Sequence, residues 1–163
     1  MAELIIREAV LADAPAIHAI RAAIVADPYI TFSTYVPTLE EIEEQIRTLE
    51  PYLVAEEAGV LLGYCYYWQF RSGPGYVHCV EHSIHLGPEA RGRGAGRALM
   101  RALEARAKAV GVHVIVAGVG GGNAAGVAFH AACGFIETGR MPQVGRKGGQ
   151  WHDLVLMQKE PGA

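Results

Sequence analysis

The chain has 163 residues, 51% of them hydrophobic and 19% charged, with a formal net charge of −3. That composition suits a folded domain with a real core and excludes a disordered chain, and its slight negative charge speaks against nonspecific nucleic-acid binding. No apolar run approaches the ~20 residues needed to span a bilayer, and the opening Met-Ala-Glu-Leu-Ile-Ile-Arg-Glu lacks the basic start and apolar centre of a secretory signal.

Leu4 to Arg7 reads as a short strand. A helix follows, with Asp13 as its N-cap and Ile17, Ile20 and Ile24 at helical spacing. Asp27 to Pro37 is a loop carrying Pro28, Tyr29, Phe32 and Tyr35. Thr38 opens a second helix, and Glu41 three residues later completes a capping box. Pro51 to Glu56 and Val60 to Gln69 form a hairpin around Glu57-Ala58-Gly59. Val77 to Leu86 is a strand, Ala95 to Val110 a helix stopped by Gly111, His113 to Val119 a buried strand, and Asn123 to Cys133 a short helix ended by Gly134. Phe135 to Gly139 and Trp151 to Gln158 are final strands, joined by a connection rich in glycine and lysine. The order is β-α-α-β-β-β-α-β-α-β-β, an α+β class with a mixed sheet, and no composition break divides residues 1–163 into more than one domain.

Between a strand and a helix lies Arg91-Gly92-Arg93-Gly94-Ala95-Gly96-Arg97. Its glycines let the backbone turn tightly and approach a ligand closely. The first N–H groups of the following helix point back into the turn with the positive end of the helix dipole behind them, which suits a phosphate or pyrophosphate. Gly92, Gly94 and Gly96 are spaced G-x-G-x-G, so the last glycine of a dinucleotide fingerprint is missing, and Arg97-Ala98 replaces the Lys-Ser/Thr of a P-loop. Arg91, Gly94 and Gly96 instead match Arg/Gln-x-x-Gly-x-Gly/Ala. In this the chain resembles the GNAT superfamily of N-acetyltransferases, which carry that pyrophosphate motif, bind acetyl-CoA and have this element order.

The resemblance extends over nearly the whole chain and is strongest to the phosphinothricin and methionine sulfoximine acetyltransferases. Pro51 to Glu56, Gly63-Tyr64-x-Tyr66, Trp68-x-Phe70-Arg71, Glu81-x-Ser83-Ile84, Asn123, Phe129-His130, Gly134-Phe135 and Lys147-x-x-x-Trp151-x-Asp153 resemble that subgroup's landmarks. The resemblance implies a GNAT fold in which the fifth strand splays from the fourth. Backbone groups of Ile84, His85 and Leu86, the loop residues Arg91 to Arg97, and Asn123 would then hold acetyl-CoA. It implies Glu81 as the base that frees an α-amine through water, and His130 as an acid for the departing thiolate. Phe32, Tyr35, Trp68, Arg71 and Tyr76 would line the acceptor site, with Arg71 clamping a carboxylate and Lys147 assisting. The implied acceptors are phosphinothricin, methionine sulfoximine and methionine sulfone, acetylated by direct transfer in a homodimer.

The chain departs from the subgroup at Gly75-Tyr76, Cys79, Gly122 and the longer Arg71–Tyr76 loop, near the expected acceptor site. Other acceptors (a polyamine, an aminoglycoside, a protein N-terminus) and an acyl-CoA sensor without turnover therefore stay open. Taken alone, a strand carboxylate such as Glu81 is more often solvated or salt-bridged than catalytic. His78, His82 and His85 do not share a strand face, so no metal is expected. Three widely spaced cysteines, Cys65, Cys79 and Cys133, point to a reduced, cytoplasmic protein.

Overall fold

The computed structural model describes residues 2–163. The chain builds β1 (Leu4–Glu8), α1 (Ala14–Ala26), α2 (Leu39–Thr48), β2 (Tyr52–Glu57), β3 (Val60–Gln69), β4 (Cys79–Leu86), α3 (Ala95–Ala109), β5 (Val114–Gly120), α4 (Ala124–Ala132), β6 (Ile136–Lys147) and β7 (Gln150–Lys159). The element order is the one read from the sequence. The seven strands make one mixed sheet in the order β1-β2-β3-β4-β5-β7-β6, with β4 and β5 its parallel pair.

Helices cover both faces, so the central strands are apolar on both sides, as the run Tyr52-Leu53-Val54-Ala55 is. On one face α1 and α2 bury Ile17, Ile20, Ile24 and Ile42 against Tyr52, Val54 and Tyr64. On the other, Leu99, Met100, Leu103 and Ala107 of α3 pack on Leu53, Cys65, Ile115 and Val155. Lys159 ties β7 to α3 through Glu104 at 2.8 Å, both side chains being about nine-tenths buried.

Two local expectations need correction. Asp13 does not cap α1 with its side chain. It accepts from the Val10 N–H at 2.8 Å and from both terminal nitrogens of Arg7, so the carboxylate is consumed in closing the turn that precedes α1. The expected connection from Gly139 to Lys147 is strand: β6 pairs with β7 as far as Lys147↔Gln150. Gly148 and Gly149, with φ of 59° and 75°, make the two-residue turn between them, and positive φ at both positions is what such a hairpin requires. Thr38 and Glu41 do form the capping box, exchanging bonds of 3.2 and 2.8 Å.

Candidate active site

The parallel ladder between β4 and β5 is short: Cys79 pairs with Val114, Val80 with Ile115 and Glu81 with Val116. Beyond Glu81 the two strands part, because β5 continues on β7 alone while β4 continues on β3. This is the splay that the resemblance implied. It leaves a gap of about 310 Å³ that reaches both faces of the sheet. Ser83, His85 and Ile24 line it on the α1 side, and His82, Ile84 and Phe129 on the α4 side. One edge of the backbone from His82 to Leu86 has no strand partner, so its N–H and C=O groups are free to meet a ligand.

The glycine loop adjoins this gap. Gly92 and Gly94 have φ of 74° and 73°, the left-handed conformation that favours glycine. Gly94 stands just before α3, whose first helical bond is Ala98 N–H to Gly94 C=O at 3.0 Å, so the N–H groups of Ala95, Gly96 and Arg97 have no partner within the helix. A Cβ at Gly96 would sit 3.0 Å from both Leu86 and Phe129, so glycine lets the helix start pack against the mouth of the gap. Arg91 and Arg97 are exposed. The Arg93 guanidinium is ion-paired with Glu57 through one Nη and the Arg93 N–H is held by Ala90 C=O at 3.2 Å, which leaves the rest of the exposed guanidinium to meet a phosphate. Asn123 lines the gap and caps α4, its Oδ1 accepting from Gly126 N–H at 3.0 Å, which leaves its Nδ2 for a ligand.

Glu81 stands at the fork. Its side chain shares a sheet face with its cross-strand neighbours Trp68 and Val116, and its Oε1 lies 3.0 Å from where a Cβ on Gly118 would be. Among the described residues the carboxylate has no hydrogen-bond or ion-pair partner, and burial raises its pKa above the usual 4.5. Gly118 lines the gap, whereas Val116 lines a second cavity of about 360 Å³ on the same sheet face, walled by Phe70, Tyr76, Cys79, Val114 and Leu156. Glu81 itself lines neither cavity; it stands in the wall between them, against Gly118 on one side and beside Val116 on the other. Burial and the neighbouring Glu81 raise the Cys79 pKa, which keeps that thiol protonated.

His130 is not armed as an acid. Its Nδ1 lies 2.7 Å from Gly126 C=O, which can only accept, so Nδ1 carries the proton. Its Nε2 then accepts from His82 Nε2 at 3.0 Å. Burial lowers the pKa of His130 and pushes that of His82 down to about 3, so both imidazoles are neutral at pH 7. His130 has no proton free to give.

The expected acceptor residues are divided. Trp68 is beside Glu81, and Tyr76 lines the second cavity with the Arg71 guanidinium 5.9 Å from its ring centre. Phe32 stacks on His152 at 5.6 Å and packs over Gly145 and Gly120 without lining the gap itself. Tyr35 is exposed and donates to Glu41. Lys147 cannot hold a substrate anion, because its ammonium is spent on the carbonyls of Val25, Asp27 and Thr31 at 2.7 to 2.8 Å. Ile24 and Gly118 line the gap, yet neither carries a motif that would have assigned it to the site. Among the described residues, no group of three or more His, Cys, Asp and Glu converges as a metal site, and no helix is long and apolar enough to cross a membrane.

Residues 17–135 match the model of the acetyltransferase (GNAT) family. The chain is 40% identical over 158 residues to an L-methionine sulfoximine/L-methionine sulfone acetyltransferase of Pseudomonas paraeruginosa, covering 94% of this chain and 92% of the relative. It resembles the crystal structure of a phosphinothricin acetyltransferase from Sinorhizobium meliloti in complex with acetyl-CoA, with a TM-score of 0.89, 37% identity, and coverage of 99% and 89% of the two chains. A ribosomal-protein-alanine N-acetyltransferase from Brucella melitensis is as similar, with a TM-score of 0.89, 40% identity, and coverage of 96% and 99%. With the glycine loop, the forked sheet and these likenesses together, the chain belongs to the GNAT family of N-acetyltransferases.

Proposed function

We propose that this enzyme transfers the acetyl group of acetyl-CoA to the α-amine of a small amino-acid analogue, with phosphinothricin, methionine sulfoximine and methionine sulfone as acceptors. The pyrophosphate rests on the glycine loop and the start of α3, and the pantetheine arm runs through the gap along His82 to Leu86. The acceptor enters from the cavity lined by Phe70 and Tyr76, with Arg71 against Tyr76 and Trp68 beside Glu81. Glu81, through a water molecule, takes the proton of the ammonium. The free amine attacks the thioester carbonyl, the C–S bond breaks, the nitrogen releases its second proton to water, and the thiolate takes a proton from water, since His130 holds none to give. Backbone N–H groups near Leu86 polarise the carbonyl. The chain acts as a single domain over residues 1–163, as a homodimer, in the cytoplasm.

The observation that carries this reading is the half-buried carboxylate of Glu81, unpaired at the fork between two cavities. A half-buried carboxylate without a protein partner is open to water, as a base acting through water must be. The test is CoA thiol release with the three analogues and ordinary amino acids, for wild type and Glu81→Gln. Acceptor-dependent release that falls at least about tenfold in the variant supports the reading; equal release by both proteins discards Glu81 as the base. The likeness to the Brucella enzyme favours a second reading, an acceptor that is the N-terminal alanine of a protein. Release with an alanine-initiated peptide and none with the free analogues would select it.

A further inference from the structure

Arg21 is a cation in the core without an anion. It is 7% exposed, and among the described residues it makes no ion pair. Its guanidinium lies 5.2 and 5.7 Å from the ring centres of Tyr64 and Tyr66. Its Nε donates to Tyr64 Oη at 2.5 Å, and one Nη donates to Tyr66 Oη at 3.2 Å. Tyr64 Oη is also 2.6 Å from Nδ1 of His85.

The direction of this chain of bonds follows from what each group can do. A guanidinium only donates. Tyr64 Oη therefore accepts from Arg21, and its own proton needs an acceptor. Among the described residues the single acceptor within reach is His85 Nδ1. A buried hydroxyl proton without a partner is costly, so Tyr64 donates to Nδ1 and the His85 proton resides on Nε2. Burial and the charge of Arg21 push the His85 pKa down to about 4, which keeps the ring neutral at pH 7. Nε2 has no protein partner among the described residues and is not sealed from solvent, and His85 lines the gap.

We propose that His85 is a side-chain donor into the gap, presenting Nε2–H to a carbonyl oxygen of the pantetheine arm, with Arg21 and Tyr64 as the positioning residues that fix its tautomer. This rests on the reading of the gap as the acyl-CoA site. It adds a side-chain contact to the backbone contacts expected from the same strand.

Nitrogen NMR of histidine-labelled wild-type protein, alone and with CoA, tests it directly. His85 is expected to show a bare Nδ1 and a protonated Nε2, and CoA is expected to shift the Nε2 signal. His85→Phe should weaken CoA binding about fivefold, the scale of one neutral hydrogen bond, and leave binding of the adenosine bisphosphate half of CoA unchanged. Tyr64→Phe should mix the two tautomers and weaken CoA binding less. A proton on Nδ1 in the wild type, or an Nε2 signal unmoved by bound CoA, overturns the inference and leaves the acyl-CoA reading intact. Equal weakening of both ligands by His85→Phe also overturns it. Failure of the wild type to bind CoA overturns both.

Discussion

Gly118→Ala tests whether the placement of Glu81 governs the rate. The added Cβ would lie 3.0 Å from Glu81 Oε1 and 3.5 Å from Leu154 Cδ1. The second distance is ordinary contact; the first requires the carboxylate to give by a few tenths of an ångström. The backbone at Gly118 is not in the left-handed region, so alanine fits it and gains about 0.5 kcal/mol through the unfolded chain. That is about 1–2 °C in the melting temperature of a chain this long. A misplacement of about 1 Å near the reacting atoms costs about a hundredfold in rate. A few tenths should then lower kcat by a factor of about three to ten while the melting temperature holds or rises. Thiol release and thermal unfolding measure the two quantities. In a Glu81→Gln background the same substitution should cost no further rate, because the group it displaces no longer acts as a base. An unchanged kcat for Gly118→Ala, or an equal loss in both backgrounds, would refute the reasoning.

The raised pKa of Glu81 places the acid limb of kcat/KM above the usual 4.5, since the base works only when deprotonated; a pH–rate profile of the wild type checks this, and Glu81→Gln should lack that limb. The same shift means that ionised Glu81 destabilises the fold above its folded pKa and not below its unfolded one, so Glu81→Gln should raise the urea midpoint at pH 7. His82 and His85 have pKa values lowered from 6.5 to about 3 and about 4, so their contribution to stability is present above pH 6.5 and is lost as the pH falls through those lowered values. Urea midpoints should drop across that window, and His82→Leu should flatten the drop. Glu104→Gln leaves the buried Lys159 ammonium without its carboxylate and should cost about 3 kcal/mol in urea unfolding; a loss below about 1 kcal/mol would mean that the pair is solvated.

The elements of the core were legible because their signals are local. Ile17, Ile20 and Ile24 mark the buried stripe of α1, and Thr38 with Glu41 marks the start of α2. The glycine loop was legible because left-handed backbone at Gly92 and Gly94 demands that residue type. The far half of β6 was not. It is an edge strand paired only with β7 and mostly exposed, so its charged residues read as a loop. Within the site, Glu81 and the backbone of β4 were reached through the resemblance. The partners of His85 and Lys147 were not, because each lies on another element: Tyr64 is 21 residues from His85, and Thr31 is 116 from Lys147. The same holds for His130, whose ring meets His82 from 48 residues away.

No single motif encodes the fork itself. Beyond Val116, Ala117 to Val119 satisfy their backbone on Met157, Leu156 and Val155 of β7. The space toward β4 is bounded by Phe129 and His130 on one face and by Ile24 and Ile30 on the other. Closing the strands would have to expel those side chains and break the contact of His82 with His130. Holding them apart leaves the His82–Leu86 edge without strand partners, and each backbone group that stays unpaired out of water costs about 1–3 kcal/mol. A ligand arm with amides in series relieves that cost by pairing as a strand would. Binding of such an arm should therefore stabilise the folded chain by RT ln(1 + L/Kd), where L is the free ligand concentration, and a melting temperature that does not rise with added CoA would mean that CoA does not bind the folded chain at the open edge.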